Sequence, residues 1–481
     1  MSENSAFKLL GEHITELSSW LDSFPKGMVR PGGEKEELDR AGQVLGELVE
    51  RLKGNYPFQS GIYAGQMLKP PHEVAWAAYA LASLINPNNH ALDGGPPTSE
   101  MEKEVIPVLA EMIGFVNPVL GHLTSSGTIA NLEALWVSRQ VSPDKAVGFS
   151  GQAHYTHSRM CEVLGIKSIE IPVDDFGNWD LEFLEHHAGA IGTVVVTMGT
   201  TGIGRVEPLH KILPICQKHG IRIHLDAAYG GYFNLLARSG DIDSSAWKLI
   251  AQADSLVVDP HKHGLQPYGC GCVIFKDPSV GRFYKHDSPY TYFSSDDLHL
   301  GEISLECSRA GAAAAALWAT IQVFDLNPGG RMEAMMRVCR NAATQFADEI
   351  QIKGNFLILE NPQLDIVVYA PIIGGNSTLL AEESTANSVE SGNFHQKNRS
   401  KTSEINKNSE KIFKLGMDAG KEGVYVSLYK IKSSQLKSIY PDLEVDSETV
   451  TVLRSVFMKP IDTEMVSTLV DRLNQFAASS T

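Results

Sequence analysis

The chain has 481 residues, 43% of them hydrophobic and 20% charged, a globular composition long enough for two or three domains. A formal net charge of −16 excludes partners that need basic patches, namely nucleic acid and anionic membrane. No apolar run reaches bilayer length, Met1–Lys8 lacks the pattern of a secretory signal, and six cysteines fit a reducing compartment, so a cytoplasmic location is expected.

Residues 5–22 and 34–53 carry apolar side chains at helical spacing and no chemistry, and residues 1–70 are read as an N-terminal helical segment. Asn55–Gly61 follows, where Tyr56 and Phe58, with Tyr63 just beyond, can line a pocket or simply pack in a core. Residues 71–330 form the expected large domain. A buried helix is predicted at Val74–Leu84, turn residues fill Asn86–Asn89 and Asp93–Pro97, and Thr98–Glu102 opens the next helix with a capping signal. Strands are then predicted at Ala146–Phe149, Ser168–Pro172, Thr193–Met198, Arg222–Leu225, Ser255–Val258 and Cys272–Phe275, with helices between them. That alternation implies a mostly parallel sheet that binds ligands at the carboxyl ends of its strands. Cys270 and Cys272 are spaced too closely for the usual metal or redox pair and are read as core thiols. Residues 331–481 form a smaller domain, with helices at Arg331–Ile350 and Asp462–Phe476 and strands at Leu364–Tyr369, Gly423–Tyr429 and Val450–Pro460. Between about 374 and 411 the composition turns polar, which is read as a solvated, disordered insertion.

The chemistry concentrates at two strand ends. Leu256–Val258 reads as a buried strand stopped by Asp259-Pro260, because proline cannot continue a ladder, and Lys262 follows between His261 and His263. A lysine held there among cationic neighbours can lose its proton and attack a carbonyl. Thirty-six positions earlier, Ile221–Leu225 is a second apolar strand ending in Asp226-Ala227-Ala228. Alternation puts Asp226 and Ala228 on one face, a carboxylate beside a small methyl, which suits a flat protonated heterocycle. Taken singly, each has a plainer reading, a surface lysine and a capping aspartate. Together they match what pyridoxal phosphate needs, a lysine for its aldehyde and an acid for its ring nitrogen. His122–Trp136 adds a small-residue turn opening a helix, where Ser126, Gly127 and Thr128 can receive a phosphate. The glycines of Thr193–Gly204 are wrongly spaced for a dinucleotide fingerprint, and His154 and His157 lack the acidic or thiol neighbours of a metal site, so no metal is expected.

On His224–Ala228, Asp259–Lys262, Thr124–Asn131 and His154, the chain resembles the group II pyridoxal-phosphate decarboxylases of fold type I, from about Asn55 to about Pro460. The resemblance implies an α/β fold like that of pyridoxal-phosphate-dependent transferases, a large domain around a mostly parallel seven-stranded sheet with a smaller α+β C-terminal domain. It further implies that His154 stacks on the ring face opposite Ala228, that Thr200 lies by the 3-hydroxyl, and that Asp259 and His261 belong to the cofactor site. A homodimer with active sites at the subunit interface is implied, the N-terminal helices packing on the partner. Tyr268 stands where bacterial tyrosine decarboxylases carry the tyrosine that returns a proton to the substrate carbon. Residues 283–300 occupy the place of the mobile catalytic loop of aromatic-amino-acid decarboxylases but look shorter, leaving Tyr292 as the second candidate. Leu305–Trp318 matches a closing helix with an alanine face.

The expectation is a pyridoxal-phosphate enzyme that converts an L-amino acid, tyrosine or another aromatic one first, to its amine and carbon dioxide. Lys262, Asp226, His154 and Tyr268 would do the chemistry. Aspartate, glutamate or diaminobutyrate remain as substrates of relatives with the same motifs. Oxidative deamination to an aldehyde is a second outcome, and a silent homologue acting as a binding protein is a reading of another class, against which Lys262 and Asp226 both stand.

Overall fold

Seven strands make the central sheet: β1 Leu120–Thr124, β2 Ala146–Ser150, β3 Ser168–Ile171, β4 Ile191–Thr197, β5 Arg222–Asp226, β6 Ser255–Val258 and β7 Gly271–Phe275. The computed structural model in which they are seen describes residues 6–25, 34–90, 94–285, 304–372 and 400–479. Spatial order is β1-β7-β6-β5-β4-β2-β3. All neighbours pair in parallel except β7, which runs against both β6 and β1. Helices cover both faces, so β2, β4 and β6 are buried along their whole length and read as continuous apolar runs. Only β3, on an edge, is largely uncovered.

Six of these strands match the predicted ones within two residues at each end. The seventh, β1, was not expected. Its Gly121 and His122 break the apolar pattern, yet His122 is buried against the equally buried Glu133, Nε2 to Oε2 3.0 Å. Two helices start elsewhere than predicted. Proline at N1 begins Pro96–Ile113 ahead of Thr98. The alanine-rich helix begins at Gly311, not Leu305, because the Arg309 backbone and guanidinium are held by Asn88, Asn89 and Glu102. That helix packs on Pro96–Ile113 and on Glu73–Ile85. The latter was expected to be buried, but Ala75 is its one buried residue, and Leu84 and Ile85 are nearly half exposed. A mostly apolar composition reads as buried, yet the helices Gly311–Val323 and Ala6–Asp22 that pack on it leave Trp76, Leu84 and Ile85 uncovered.

The smaller sheet is antiparallel, with β8 Phe356–Ile358, β9 Ile366–Pro371, β10 Ser427–Lys432 and β11 Thr449–Val456 in the order β10-β11-β9-β8. Helices Arg331–Ile352 and Thr463–Ala478 pack on it and on each other through Phe346, Ile350, Leu469 and Leu473. Predicted strand residues Gly423–Val426 precede β10 and instead run beside Ile62–Ala64, with the N–H of Tyr425 bonding Ile62 O and the N–H of Ala64 bonding Tyr425 O. The polar insertion also needs correction at its end. Thr402–Asp418 is a helix whose Ile405, Ser409, Ile412 and Gly416 form a buried stripe at helical spacing, invisible in the average composition. Residues 374–399 of that insertion lie outside the described residues.

Candidate active site

The predicted residues come from the carboxyl ends of different strands. Ser126 and Gly127 follow β1, His154 follows β2, Thr200 follows β4, Asp226 closes β5, and Asp259–Lys262 follow β6. Because β5 and β6 are adjacent and parallel, with Asp226 opposite Val257, the carboxylate and the lysine emerge side by side. The backbone N–H of Asp259 bonds the carbonyl of Ala228 at 3.3 Å, joining the two strand ends.

The turn carrying Lys262 is tightly specified. The N–H of Lys262 bonds Asp259 O at 2.9 Å, and that of His261 bonds Cys270 O at 3.1 Å. Gly264 has no room for a side chain, since a Cβ would collide with the Tyr232 hydroxyl and the Pro260 backbone. Leu265 then takes a left-handed backbone, φ 69°, which is uncommon for a residue with a side chain. Lys262 is partly exposed, with Nζ 3.1 Å from Asp259 Oδ2, and His261 Nε2 lies 3.6 Å from the same oxygen.

Asp226 is buried. Burial by itself would raise its carboxyl, but the hydrogen bond from His157, with the Lys262 charge behind it, holds it well below the usual carboxylate range. It is therefore a permanent anion at neutral pH. His224, two residues earlier, serves as a brace. Its Nε2 lies 2.8 Å from Asn131 Oδ1 and its Nδ1 2.9 Å from Ser255 Oγ, tying β5 to β6 and to the helix Gly127–Val141. Burial lowers His224 to about 3, so it stays neutral.

These residues fit pyridoxal phosphate. A buried anion suits the ring nitrogen, and the primary amine of Lys262 lies within its electrostatic reach. The helix Gly127–Val141 points its amino end at the site, and Gly127 leaves a space that a Cβ would fill against the Asp259 carboxylate. Asp259 Oδ1 is buried without a partner among the described residues, an atom that calls for a ligand donor.

The remaining predicted residues stand as follows. His154 is half-buried, with Nδ1 2.7 Å from Thr156 Oγ1. Burial lowers its pKa, and Asp226, Lys262 and Asp259 all act on it, which puts it among the central group. Ala228 is buried, its backbone N–H on Asp226 Oδ1. Ser126 caps its helix by accepting the N–H of Ile129, while Thr128 is exposed. Thr200 is buried in the turn after β4, its hydroxyl accepting the N–H of Arg205 at 3.0 Å. Tyr268 is 58% exposed and lies over His261, ring centres 5.0 Å apart, with its hydroxyl 3.4 Å from Met67 O. Burial of its hydroxyl, then the Asp259 charge, raises its pKa. Tyr292 lies outside the described residues. Cys270 and Cys272 are free and buried, as core thiols should be.

Sequence reasoning missed two groups. His157 was weighed only for metal spacing, and its Nε2 lies 2.8 Å from Asp226 Oδ2. A buried set behind Lys262 was not seen at all. Tyr229 donates its hydroxyl to Asp365 Oδ1, and His263 Nε2 lies 3.4 Å from Asp365 Oδ2. Lys69 reaches the carbonyls of His263 and Met458 at 3.5 and 3.3 Å. No local signal marks either group, since their partners are distant in sequence.

Comparison with known proteins gives the family. The profile of the pyridoxal-dependent decarboxylase conserved domain matches residues 71–371. An L-tyrosine decarboxylase of Enterococcus faecium is 28% identical over 67% of this chain and 71% of its own. A probable L-aspartate decarboxylase of Pyrococcus abyssi is 29% identical over 68% of this chain and 84% of its own. Among solved structures, the TDC of Oryza sativa with PLP and tryptamine superposes with a TM-score of 0.73, covering 100% of this chain and 99% of that one at 17% identity. Mouse CSAD gives 0.73 over 96% and 91% at 19% identity, and both likenesses show the fold. The profile match spans well over half the chain, and with the strand-end lysine and buried aspartate it makes this protein a member of the pyridoxal-dependent decarboxylase family, an enzyme that uses pyridoxal phosphate to decarboxylate an amino acid.

Proposed function

We propose that the substrate is an aromatic L-amino acid, tyrosine first, and that Tyr268 returns the proton to its α-carbon. The observation that carries this is a cluster of aromatic rings beside Tyr268. Phe58 and Tyr63 meet edge to face at 4.9 Å, Tyr56 and Tyr425 lie 5.7 Å apart, and burial, with Tyr268 among the lesser causes, raises the Tyr63 hydroxyl. Such a wall favours a flat apolar side chain with a polar tip. The buried Arg454 of β11 and the partly buried Lys459 just beyond it give an acidic side chain little to bind. Arg454 bonds the carbonyls of Gly65, Thr201 and Gly202, and Lys459 those of Phe58 and Tyr63. The L-tyrosine decarboxylases named among the relatives support the same reading; the aspartate enzymes beside them supply the competing one.

When bound, the cofactor supplies an aldehyde for amines and a protonated ring that draws off the electrons of the breaking carbon–carbon bond. Lys262 would hold that aldehyde through its primary amine. Asp226 would keep the ring nitrogen protonated, and His154 and Ala228 would hold the ring in place. The turn Ser126–Thr128, with His261 and Thr200, would hold the cofactor's polar groups, and Asp259 orients Lys262. One proton is consumed for each carbon dioxide released, and the Tyr268 hydroxyl delivers it to the carbon that lost the carboxylate. Since Lys262 and Asp226 are both present, a silent binding protein is disfavoured.

The enzyme acts as a homodimer in this reading. Helix Glu34–Leu52 leaves Leu38, Leu45, Leu48 and Leu52 between 46% and 63% exposed, an apolar face that a second copy would cover. Amine and aldehyde release should be measured across the amino acids, with sedimentation to give the assembly. Tyrosine is expected to show the highest kcat/KM with amine as product. A preference for aspartate or glutamate would overturn the substrate assignment, and aldehyde as the main product would overturn the role of Tyr268.

A further inference from the structure

The helix Thr156–Leu164 starts two residues after His154, and its first turn carries His157 fully into the interior. There its Nε2 meets Asp226 Oδ2 at 2.8 Å, with side-chain exposures of 0% and 8%. A carboxylate oxygen only accepts, so Nε2 carries the hydrogen. The other oxygen, Oδ1, accepts the backbone N–H of Ala228 at 3.2 Å. The two donors thus hold the carboxylate in one plane. Oδ2 belongs to His157, and Oδ1, with one donor, keeps lone-pair capacity for a further one. Glu207, His224 and His154 also face His157, but Glu207 is occupied by Ser150 and the N–H of Thr197, and His224 by Asn131 and Ser255.

We propose that His157 is a positioning residue for the cofactor: by binding Oδ2 it fixes Asp226 as a charged, single-orientation acceptor and so keeps the pyridine nitrogen protonated. This rests on the pyridoxal-phosphate reading and deepens it. The physical reason is local. Without the imidazole, Asp226 would be a buried carboxylate with one weak donor, which favours the neutral acid and a free torsion. A neutral acid cannot hold a proton on the ring.

The test loads the full-length protein with cofactor labelled with nitrogen-15 in the ring and follows its chemical shift with pH. Wild type should show a protonated nitrogen from about pH 6 to 9, flat across the range over which a weaker partner would titrate. His157→Phe, which keeps ring volume and loses the donor, should lose protonation as pH rises. It should also bind cofactor roughly 10–100-fold more weakly, as when an outer hydrogen-bond partner is removed, and lose kcat more than KM changes. His157→Gln, whose amide nitrogen reaches near the position of Nε2, should restore the shift. If the Phe variant fails to fold, His157→Asn, with an amide too short to reach Oδ2, takes its place with the same expectation. An unchanged shift and affinity in the Phe or Asn variant overturns the assignment while leaving the cofactor reading intact. A wild-type protein that binds no cofactor overturns both.

Discussion

The carboxylate of Asp259 stands 3.1 Å from the amine of Lys262 and at the same time closes against Gly127, the first residue of the helix that follows β1. One acidic side chain therefore touches both the nucleophile and the turn expected to receive phosphate. Gly127→Ala should push that carboxylate away, because the added methyl has no other space. Cofactor affinity is expected to fall by about tenfold or more, some 1–2 kcal/mol of overpacking, with the fold kept. Fluorescence titration of the apoprotein checks it; unchanged affinity would show that the helix start does not meet the cofactor.

Asp226→Asn removes the anion and keeps the shape. Cofactor should still be held through Lys262 and the helix start. Steady-state kinetics should show kcat down by roughly 10²–10³, the scale seen when one charge-stabilising group is lost. A variant with wild-type kcat would mean that Asp226 does not face the ring nitrogen.

Tyr268→Phe leaves the ring over His261 and deletes the hydroxyl. If that hydroxyl is the acid, amine formation should drop by roughly 10²–10⁴ while the cofactor spectrum stays as in wild type. Aldehyde should rise as a share of product. Normal amine release would return the role to Tyr292.

Asp365 gives a pH signature outside the reaction. Burial raises its carboxyl to about 6, against the opposing pull of Tyr229, Lys69 and Arg454. An unfolded aspartate titrates near ~3.9, so between about pH 4 and 6 the folded chain binds more protons than the unfolded one. This group's contribution to stability is largest at the acid end, falls as pH rises through that window, and is level above it. Asp365→Asn should remove this slope. Denaturant melts of both proteins at several pH values test it, and the wild-type-minus-variant difference should change by a few kcal/mol, on the order of 2–3, across the window. A constant difference would contradict the raised carboxyl.

Much of the site was legible because its chemistry sits where strands stop. Asp226 and Lys262 each close an apolar run, and proline or small residues mark the boundary in the sequence itself. What was not legible depends on partners far along the chain. His157 is 69 positions from Asp226, and Tyr229 is 136 from Asp365, so neither pair leaves a local pattern. β1 escaped because its polar His122 is buried 3.0 Å from Glu133 on a neighbouring helix, a contact that strand periodicity does not register. Helix Thr402–Asp418 escaped for the opposite reason: its stripe is narrow and two of its members are serine and glycine.

The linkage itself can be trapped. Reducing the holoenzyme with borohydride, digesting it and finding the modified peptide by mass spectrometry reads which amine carries the cofactor. The label is expected on Lys262 alone. Label on Lys69 or Lys459, or none retained, would contradict the site described for this enzyme.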